Sequence, residues 1–243
     1  MKYMGSKRRI SKEIVPLMLK DRKDGQYYVE PFCGGCNSLD KVTGKRIGND
    51  INKYLIALLK EMQSESFSLP FVGEEEYKNM KNNQDKYPDW VLGYVGFQLS
   101  FGAKWFGGYR RDKKGVRDYE NEAQQNIKAQ QNIKAQQNIK AQQPLLQNVD
   151  FYNVNYWELD IPENSIIYCD PPYKDTTRYK DGGFDHDKFW EWCEDMTKVG
   201  HKVFVSEYNS PDNWNSIWQK EVTTGLDVTS TKKDIEKLFV LSE

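Results

Sequence analysis

Histidine is almost missing from this sequence: His186 and His201 are the two among 243 residues, and cysteine is held to four, Cys33, Cys36, Cys169 and Cys193. A structural zinc site wants four ligands, and Cys33-Gly34-Gly35-Cys36 offers one C-x-x-C pair with no second such pair and no H-x-x-x-H. Zinc binding and dithiol redox work are therefore minor readings, and no metal is expected. The segment Met1 to Lys7 has no apolar core of the kind used for export, so the cysteines read as thiols and a cytoplasmic location is expected. No apolar run comes near the ~18 residues of a membrane span, and mean hydropathy is -0.84.

Excess charge is lacking too. Lys and Arg total 35 against 36 Asp and Glu, a net charge of -1, so binding to a polyanion has to come from local patches rather than from the whole surface. Two patches qualify. Lys2, Lys7, Arg8, Arg9 and Lys12 lie near the start; Lys104, Arg110, Arg111, Lys113, Lys114 and Arg117 lie mid-chain, interleaved with Trp105, Phe106 and Tyr109. Basic residues mixed with aromatics suit phosphate contact and base stacking, although either patch alone also reads as a solvated face.

Aromatic residues are plentiful, at 14%, enough for a sizeable α/β core. Gln26 to Glu30 reads as a strand running into the turn Pro31-Phe32-Cys33-Gly34-Gly35-Cys36, with a helix expected from Asn37. Lys45 to Asn49 reads as a second strand closing at Asp50, and Ile51, Tyr54, Leu55, Leu58 and Leu59 then recur at helical spacing. Further strands are expected at 150–154, 165–169 and 202–206, with a helix from Lys188 to Val199. This alternation implies a mainly parallel sheet covered on both faces. Residues 1–63 and 144–243 form the expected main domain, and 64–143 read as a mainly helical insertion. Within the insertion, Gln-Gln-Asn-Ile-Lys-Ala occurs three times in tandem from Gln124. A period of six places Ile127, Ile133 and Ile139 about 120° apart on a helix, so 124–143 is expected to be an exposed helix or flexible linker.

The sharpest chemical signal is Ile166-Ile167-Tyr168-Cys169-Asp170-Pro171-Pro172-Tyr173. A hydrophobic strand delivers a carboxylate, two prolines and an aromatic to the crevice at the carboxyl end of a parallel sheet. Asp170 and the Pro171 carbonyl could accept both N–H bonds of an exocyclic amine, freeing a lone pair otherwise delocalised into its ring. Pro171 and Pro172 stiffen the turn, and Tyr173 offers a flat face for an extruded base. The glycines of 30–36 let a ligand approach the backbone, and Asp50 suits ribose hydroxyls. The turn is not G-x-G-x-x-G, which gives nicotinamide chemistry little support.

Together these segments resemble the DNA adenine-N6 methyltransferases of the Dam-type, α-group class, whose cofactor motifs come first, recognition region next and D-P-P-Y motif last. The resemblance implies a Rossmann-like fold dependent on S-adenosyl-L-methionine, with an inserted target-recognition region. It implies a methyl group passed to N6 of a flipped adenine in double-stranded DNA, with Asp170, Pro171, Pro172 and Tyr173 as catalytic residues. Lys2-Tyr3-Met4-Gly5-Ser6-Lys7 matches the family's K-Y-x-G-S/G-K segment beside the cofactor's methionine end. The cofactor set implied is Tyr3, Lys7, Glu30, Pro31, Phe32, Gly34, Gly35, Asp50, Ile51, Asn155, Tyr156 and Asp170. Lys104, Trp105, Tyr109, Arg110, Arg111, Arg178 and Tyr179 are the expected DNA contacts, and the loop from Lys174 to Phe184 a candidate lid. Cys36 stands where the family often has glycine, and Asn155 where it usually has aspartate. Residues 101–111 do not match the recognition hairpin of GATC readers. A cognate restriction endonuclease is a candidate partner, and a monomer or weak dimer is expected.

Cytosine-N4 methylation uses similar machinery, more often with serine at the position of Asp170. C5-cytosine chemistry needs a Pro-Cys nucleophile, which is absent. A cofactor- and DNA-binding module without turnover is the reading from another class.

Overall fold

The computed structural model describes residues 1–110, 121–173, 183–224 and 232–242. Its strands are β1 (Tyr28–Glu30), β2 (Arg46–Asn49), β3 (Val149–Tyr152), β4 (Ile166–Cys169), β5 (Lys202–Glu207), β6 (Trp214–Thr224) and β7 (Lys232–Leu241). They form one sheet in the order β3-β2-β1-β4-β5-β7-β6. The first five are parallel; β7 runs antiparallel between β5 and β6.

β1, β2 and β4 are buried at every residue, as strands covered on both faces must be, whereas edge strand β3 alternates Val149 and Phe151 inward with Asp150 and Tyr152 outward. Successive residues feed two separate cores. Tyr28, Ile166, Tyr168 and Phe204 join α1 (Ser11–Leu19) and α2 (Lys53–Glu61) on one face. Val29, Ile47, Ile167 and Val205 join α6 (His186–Lys198) on the other. The chain leaves β1 for β2 and β3, then returns to β4 and β5 on the other side of β1. That reversal opens a crevice at the carboxyl ends of β1 and β4, where α/β sheets bind ligands.

The helix expected from Asn37 is a single 3-10 turn, Leu39–Lys41. Asn37, Ser38 and Asp40 are residues whose side chains compete for backbone groups and favour turns over helix interiors; the Asn37 side chain donates instead to the Met1 carbonyl at 3.1 Å. The sheet face is covered from the N-terminal side by α1, through Ile14 and Met18.

Residues 64–143 hold α3 (Glu74–Asn82), α4 (Asp89–Gly93) with a π-helical turn at Tyr94–Gln98, and α5 (Asn121–Gln142). Their apolar residues Leu92, Tyr94, Phe97 and Ile139 pack in the same core as α1 and α2. Gly93 permits the tightest approach: a Cβ there would lie 2.1 Å from the Tyr54 carbonyl oxygen.

The repeats form α5, and its described part is docked, which corrects the expectation of an exposed helix or flexible linker. Asn132, Ala135, Ile139 and Gln142 are all buried. They are spaced three, four and three residues apart, one helical stripe drawn from four different positions of the six-residue period. Asn132 Nδ2 donates to the Val72 carbonyl and to Tyr109 Oη, both at 3.1 Å. The same repeat position thus has opposite environments, Ile139 being fully buried and Ile133 50% exposed. Ile139→Ala is expected to cost about 2–5 kcal/mol in a denaturant melt, and Ile133→Ala less than about 0.5; equal losses would contradict the docked register.

Candidate active site

Four segments distant in sequence converge at the crevice. The turn after β1 is held by Asp50, whose two carboxylate oxygens accept N–H bonds from Gly34 (3.0 Å) and Asn52 (2.9 Å). Burial raises the Asp50 carboxyl, and these backbone bonds oppose the rise. Each oxygen keeps further acceptor capacity, so a ribose hydroxyl remains a chemically suitable partner. Ile51 beside it is 67% exposed, an apolar surface at the strand end. Gly34 has φ +47, and its missing Cβ would lie 3.0 Å from the Tyr3 ring. The glycines therefore admit Tyr3, and the N-terminal segment lies directly on the turn.

Asn49 Nδ2 donates to the carbonyls of Pro31 and Val154, both at 3.0 Å, joining three strand ends. Gln142, at the end of α5, donates to Gly35 O (3.0 Å), Cys36 O (3.2 Å) and Asp40 Oδ2 (2.9 Å). Neither residue was identified from sequence, because a lone Asn or Gln carries no spacing signal.

Glu30 is buried on β1, accepts from Tyr28 Oη at 3.0 Å, and is pushed well above the usual carboxyl range by burial. Asn155 caps the turn Tyr156–Glu158 through a reciprocal pairing with Glu158. The Tyr156 side chain is buried in the second core beside Phe32, at 5.1 Å between ring centroids. What Tyr156 can present to the crevice is backbone.

At the end of β4, Lys7 Nζ lies 3.2 Å from Asp170 and 3.3 Å from Glu236 on β7. Tyr173 Oη donates to the other Glu236 oxygen at 2.7 Å. Burial pushes the Asp170 carboxyl up to about 6, with Glu236 adding to the rise and Lys7 opposing it. Burial would lower the Lys7 ammonium, but Asp170 and Glu236 together hold it above the ordinary lysine value. The Tyr173 ring is 8% exposed, with Lys7 Nζ 4.2 Å from its centroid and Tyr208 edge-on at 4.7 Å. It is therefore tucked into this ion cluster, which corrects the expectation of an open stacking face.

Lys104 is exposed. Trp105 stacks on Tyr54 at 4.5 Å, and Tyr109 Oη donates to the Val72 carbonyl at 3.1 Å. The aromatic half of the mid-chain patch faces inward, because these rings have more apolar surface to bury than their basic neighbours. The basic half meets the N-terminal patch: the Lys2 ammonium is lowered by burial and by Arg110, Lys134 and Arg8 nearby. Arg111, Arg178, Tyr179 and most of the candidate lid lie outside the described residues. Cys33 and Cys36 are buried thiols raised by burial, and no His, Cys, Asp and Glu group among the described residues could hold a metal ion.

The fold and site together define an α/β protein with a glycine turn and a carboxylate-bearing motif on adjacent central strands. The defining pattern of the D12 class N6 adenine-specific DNA methyltransferases matches residues 3–90 and 106–231, and this chain belongs to that family. It is 26% identical over 200 residues to the type II methyltransferase M.FokI of Planomicrobium okeanokoites, covering 74% of this chain and 30% of that protein. The chain thus spans about a third of that relative's length. Among solved structures it aligns with TrmN from Thermus thermophilus (TM-score 0.38, 10% identity, 95% of this chain and 48% of the other). It also aligns with HI0767 from Haemophilus influenzae (TM-score 0.39, 12% identity, 98% and 100%). No helix among the described residues is long and apolar enough to cross a membrane.

Proposed function

We propose that this chain transfers the methyl group of S-adenosyl-L-methionine to N6 of an adenine extruded from double-stranded DNA. The observation that carries the reading is the placement of Asp170 at the carboxyl end of β4, beside the β1 glycine turn, at the point where strand order reverses. The cofactor would supply an electrophilic methyl group on a sulfonium, without need of a metal. The residues present fit it: exposed Ile51 for an adenine face, Asp50 for ribose hydroxyls, and buried Glu30 with Lys7 and Tyr3 toward the amino-acid end. Pro31, Phe32, Gly34, Gly35, Asn155 and Tyr156 shape the same crevice.

Asp170 accepts an N–H from the target amine, and the Pro171 carbonyl accepts the other, so the nitrogen lone pair is turned toward the methyl group. Positive charge developing on that nitrogen is met by the Asp170 carboxylate. Once methyl transfer is complete, the surplus amine proton leaves by way of that carboxylate or solvent. Pro172 restricts the turn, and Tyr173 flanks the base pocket with its ring held between Lys7 and Tyr208.

Residues 64–143 serve as the target-recognition region, with Trp105 and Tyr109 anchoring the hairpin that carries Lys104 and Arg110. Lys2, Arg8 and Lys134 extend the same basic face, which Arg111, Arg178 and Tyr179 would join. A restriction endonuclease of matching specificity is the natural partner for a protein of this kind, acting beside a monomer or weak dimer in the cytoplasm.

Incubation with DNA and labelled cofactor, followed by identification of the modified base, tests the reading. N6-methyladenine supports it; N4-methylcytosine, or cofactor binding with no methylated DNA, overturns it in favour of the alternatives. The Lys104→Gln, Lys134→Gln double variant is expected to reduce the slope of log affinity against log salt by about two. Its melting temperature should stay that of the parent, since both side chains are exposed. An unchanged slope would place the DNA elsewhere.

A further inference from the structure

Glu236 belongs to none of the motifs that mark this family in the sequence, yet it is buried and touches two members of the Asp170 cluster from β7. We infer that Glu236 is a positioning residue for methyl transfer, using one carboxylate oxygen to share the Lys7 ammonium with Asp170 and the other to fix the Tyr173 hydroxyl. This rests on the reading of Asp170 as the acceptor of the target amine.

The geometry explains the need for a second carboxylate. Lys7 is buried, and an ammonium there seeks carboxylate partners to offset its lost hydration. With Asp170 as its one partner, it would settle wholly on the oxygens that the amine requires. Glu236, at 3.3 Å from Lys7 Nζ against 3.2 Å for Asp170, divides that demand. Lys7, Asp170 and Glu236 then sum to one negative charge, which suits an amine gaining positive charge. The hydrogen bond of 2.7 Å from Tyr173 Oη holds the ring against Tyr208, beside the turn that presents the Pro171 carbonyl.

The groups facing Asp170 are Lys7 from the N-terminal segment, Glu236 from β7, Glu30 from β1, Tyr168 from β4 itself, Tyr173 from the following turn and Tyr208 after β5. Of these, Glu236 is the carboxylate joined to Asp170 through a shared cation. Glu236→Gln removes a like charge while nearly preserving shape. The acidic limb of the kcat/KM profile should therefore move about 0.5–1 pH unit toward acid. kcat at pH 8 should fall about tenfold, with cofactor affinity within about twofold of the parent.

A damaged fold would lower activity at every pH without moving the limb. Glu236→Asp, which keeps the charge but shortens the reach, should leave the limb in place and still lower kcat. Should Glu236→Gln not fold, this second variant decides: with the melting temperature and cofactor affinity of the parent, a lowered kcat with an unmoved limb supports the inference, whereas full activity or a moved limb overturns it. In the folded Gln variant, an unmoved limb overturns it. Asp170→Ala separates the two readings: if it stays active, the assignment of Asp170 fails; if it is dead while Glu236→Gln leaves the limb in place, only the role of Glu236 fails.

Discussion

Asp170→Asn is expected to lose methyl transfer by about 10³-fold or more and, in the same molecule, to gain stability above pH 6. Both results follow from one environment. The carboxylate is the group that would accept the amine N–H bond, and an amide of the same shape presents a weaker acceptor together with an N–H₂ that opposes the target amine. Folding raises the Asp170 carboxyl from an ordinary 3.8 to about 6, chiefly through burial. A carboxyl raised in the folded state favours folding fully below its unfolded value. That advantage is lost as pH climbs through about 6, so the ionised form at pH 8 costs about 3 kcal/mol. Asparagine mimics the neutral carboxyl and leaves Lys7 paired with Glu236. Denaturant melts should show parent and variant converging near pH 4 and separating by about 2–3 kcal/mol at pH 8, alongside a single-turnover assay of transfer. A variant less stable than the parent at pH 8 would show that the Lys7–Asp170 attraction outweighs burial.

Lys7→Met should produce the largest stability loss of any single change at the site. Lys7 Nζ stands between Asp170 and Glu236, at 3.2 and 3.3 Å. Removing it leaves two carboxylates facing one another with little water, and breaking a buried ion pair from one side typically costs about 3–5 kcal/mol. The loss should be full at pH 8 and smaller at pH 5.5. Without the ammonium that opposed the rise, the Asp170 carboxyl moves higher still and takes a proton across that interval. Adding Glu236→Gln to Lys7→Met should restore most of the loss, since one of the two stranded charges is gone; the coupling is read from the double-mutant cycle. Equal losses at both pH values, or no recovery in the double variant, would contradict the charge argument.

Much of the sheet was legible because parallel strands are short apolar runs ended by turn residues. β1, β2, β3, β4 and β5 fall within a residue or two of the stretches read from sequence. β6 was missed: Trp214-Asn215-Ser216-Ile217-Trp218-Gln219-Lys220-Glu221 mixes polar and apolar residues, and it is a strand because β7 supplies a ladder of partners along it, broken by a register shift at Ile217. The helix expected at Asn37 failed for the opposite reason, since neighbouring strands suggested a crossover helix while local side chains favoured turns.

The candidate site residues legible in the sequence are those in contiguous motifs: Asp170 to Tyr173, Glu30 to Gly35, Asp50 and the N-terminal Tyr3 and Lys7. Their convergence in space agrees with the order in which the motifs occur. Glu236, Asn49 and Gln142 were invisible because each is a single polar residue whose role depends on a partner far along the chain. The repeats were misjudged by following isoleucine alone; the buried stripe is built from Asn132, Ala135, Ile139 and Gln142, and a six-residue period passed through a 3.6-residue helix puts different repeat positions on it.

Sequence by itself therefore determined the fold class, the parallel strand runs and the place of the D-P-P-Y turn at a strand end, because those properties reside in neighbours along the chain. Tertiary structure alone decided that Trp105 and Tyr109 turn inward and that the repeat helix is clamped to the glycine turn. It also decided that Lys7 and Glu236, 229 residues apart, share one buried charge cluster. Such pairings exist only after β7 has inserted antiparallel beside β5 and carried its carboxylate to the end of the strand that bears Asp170.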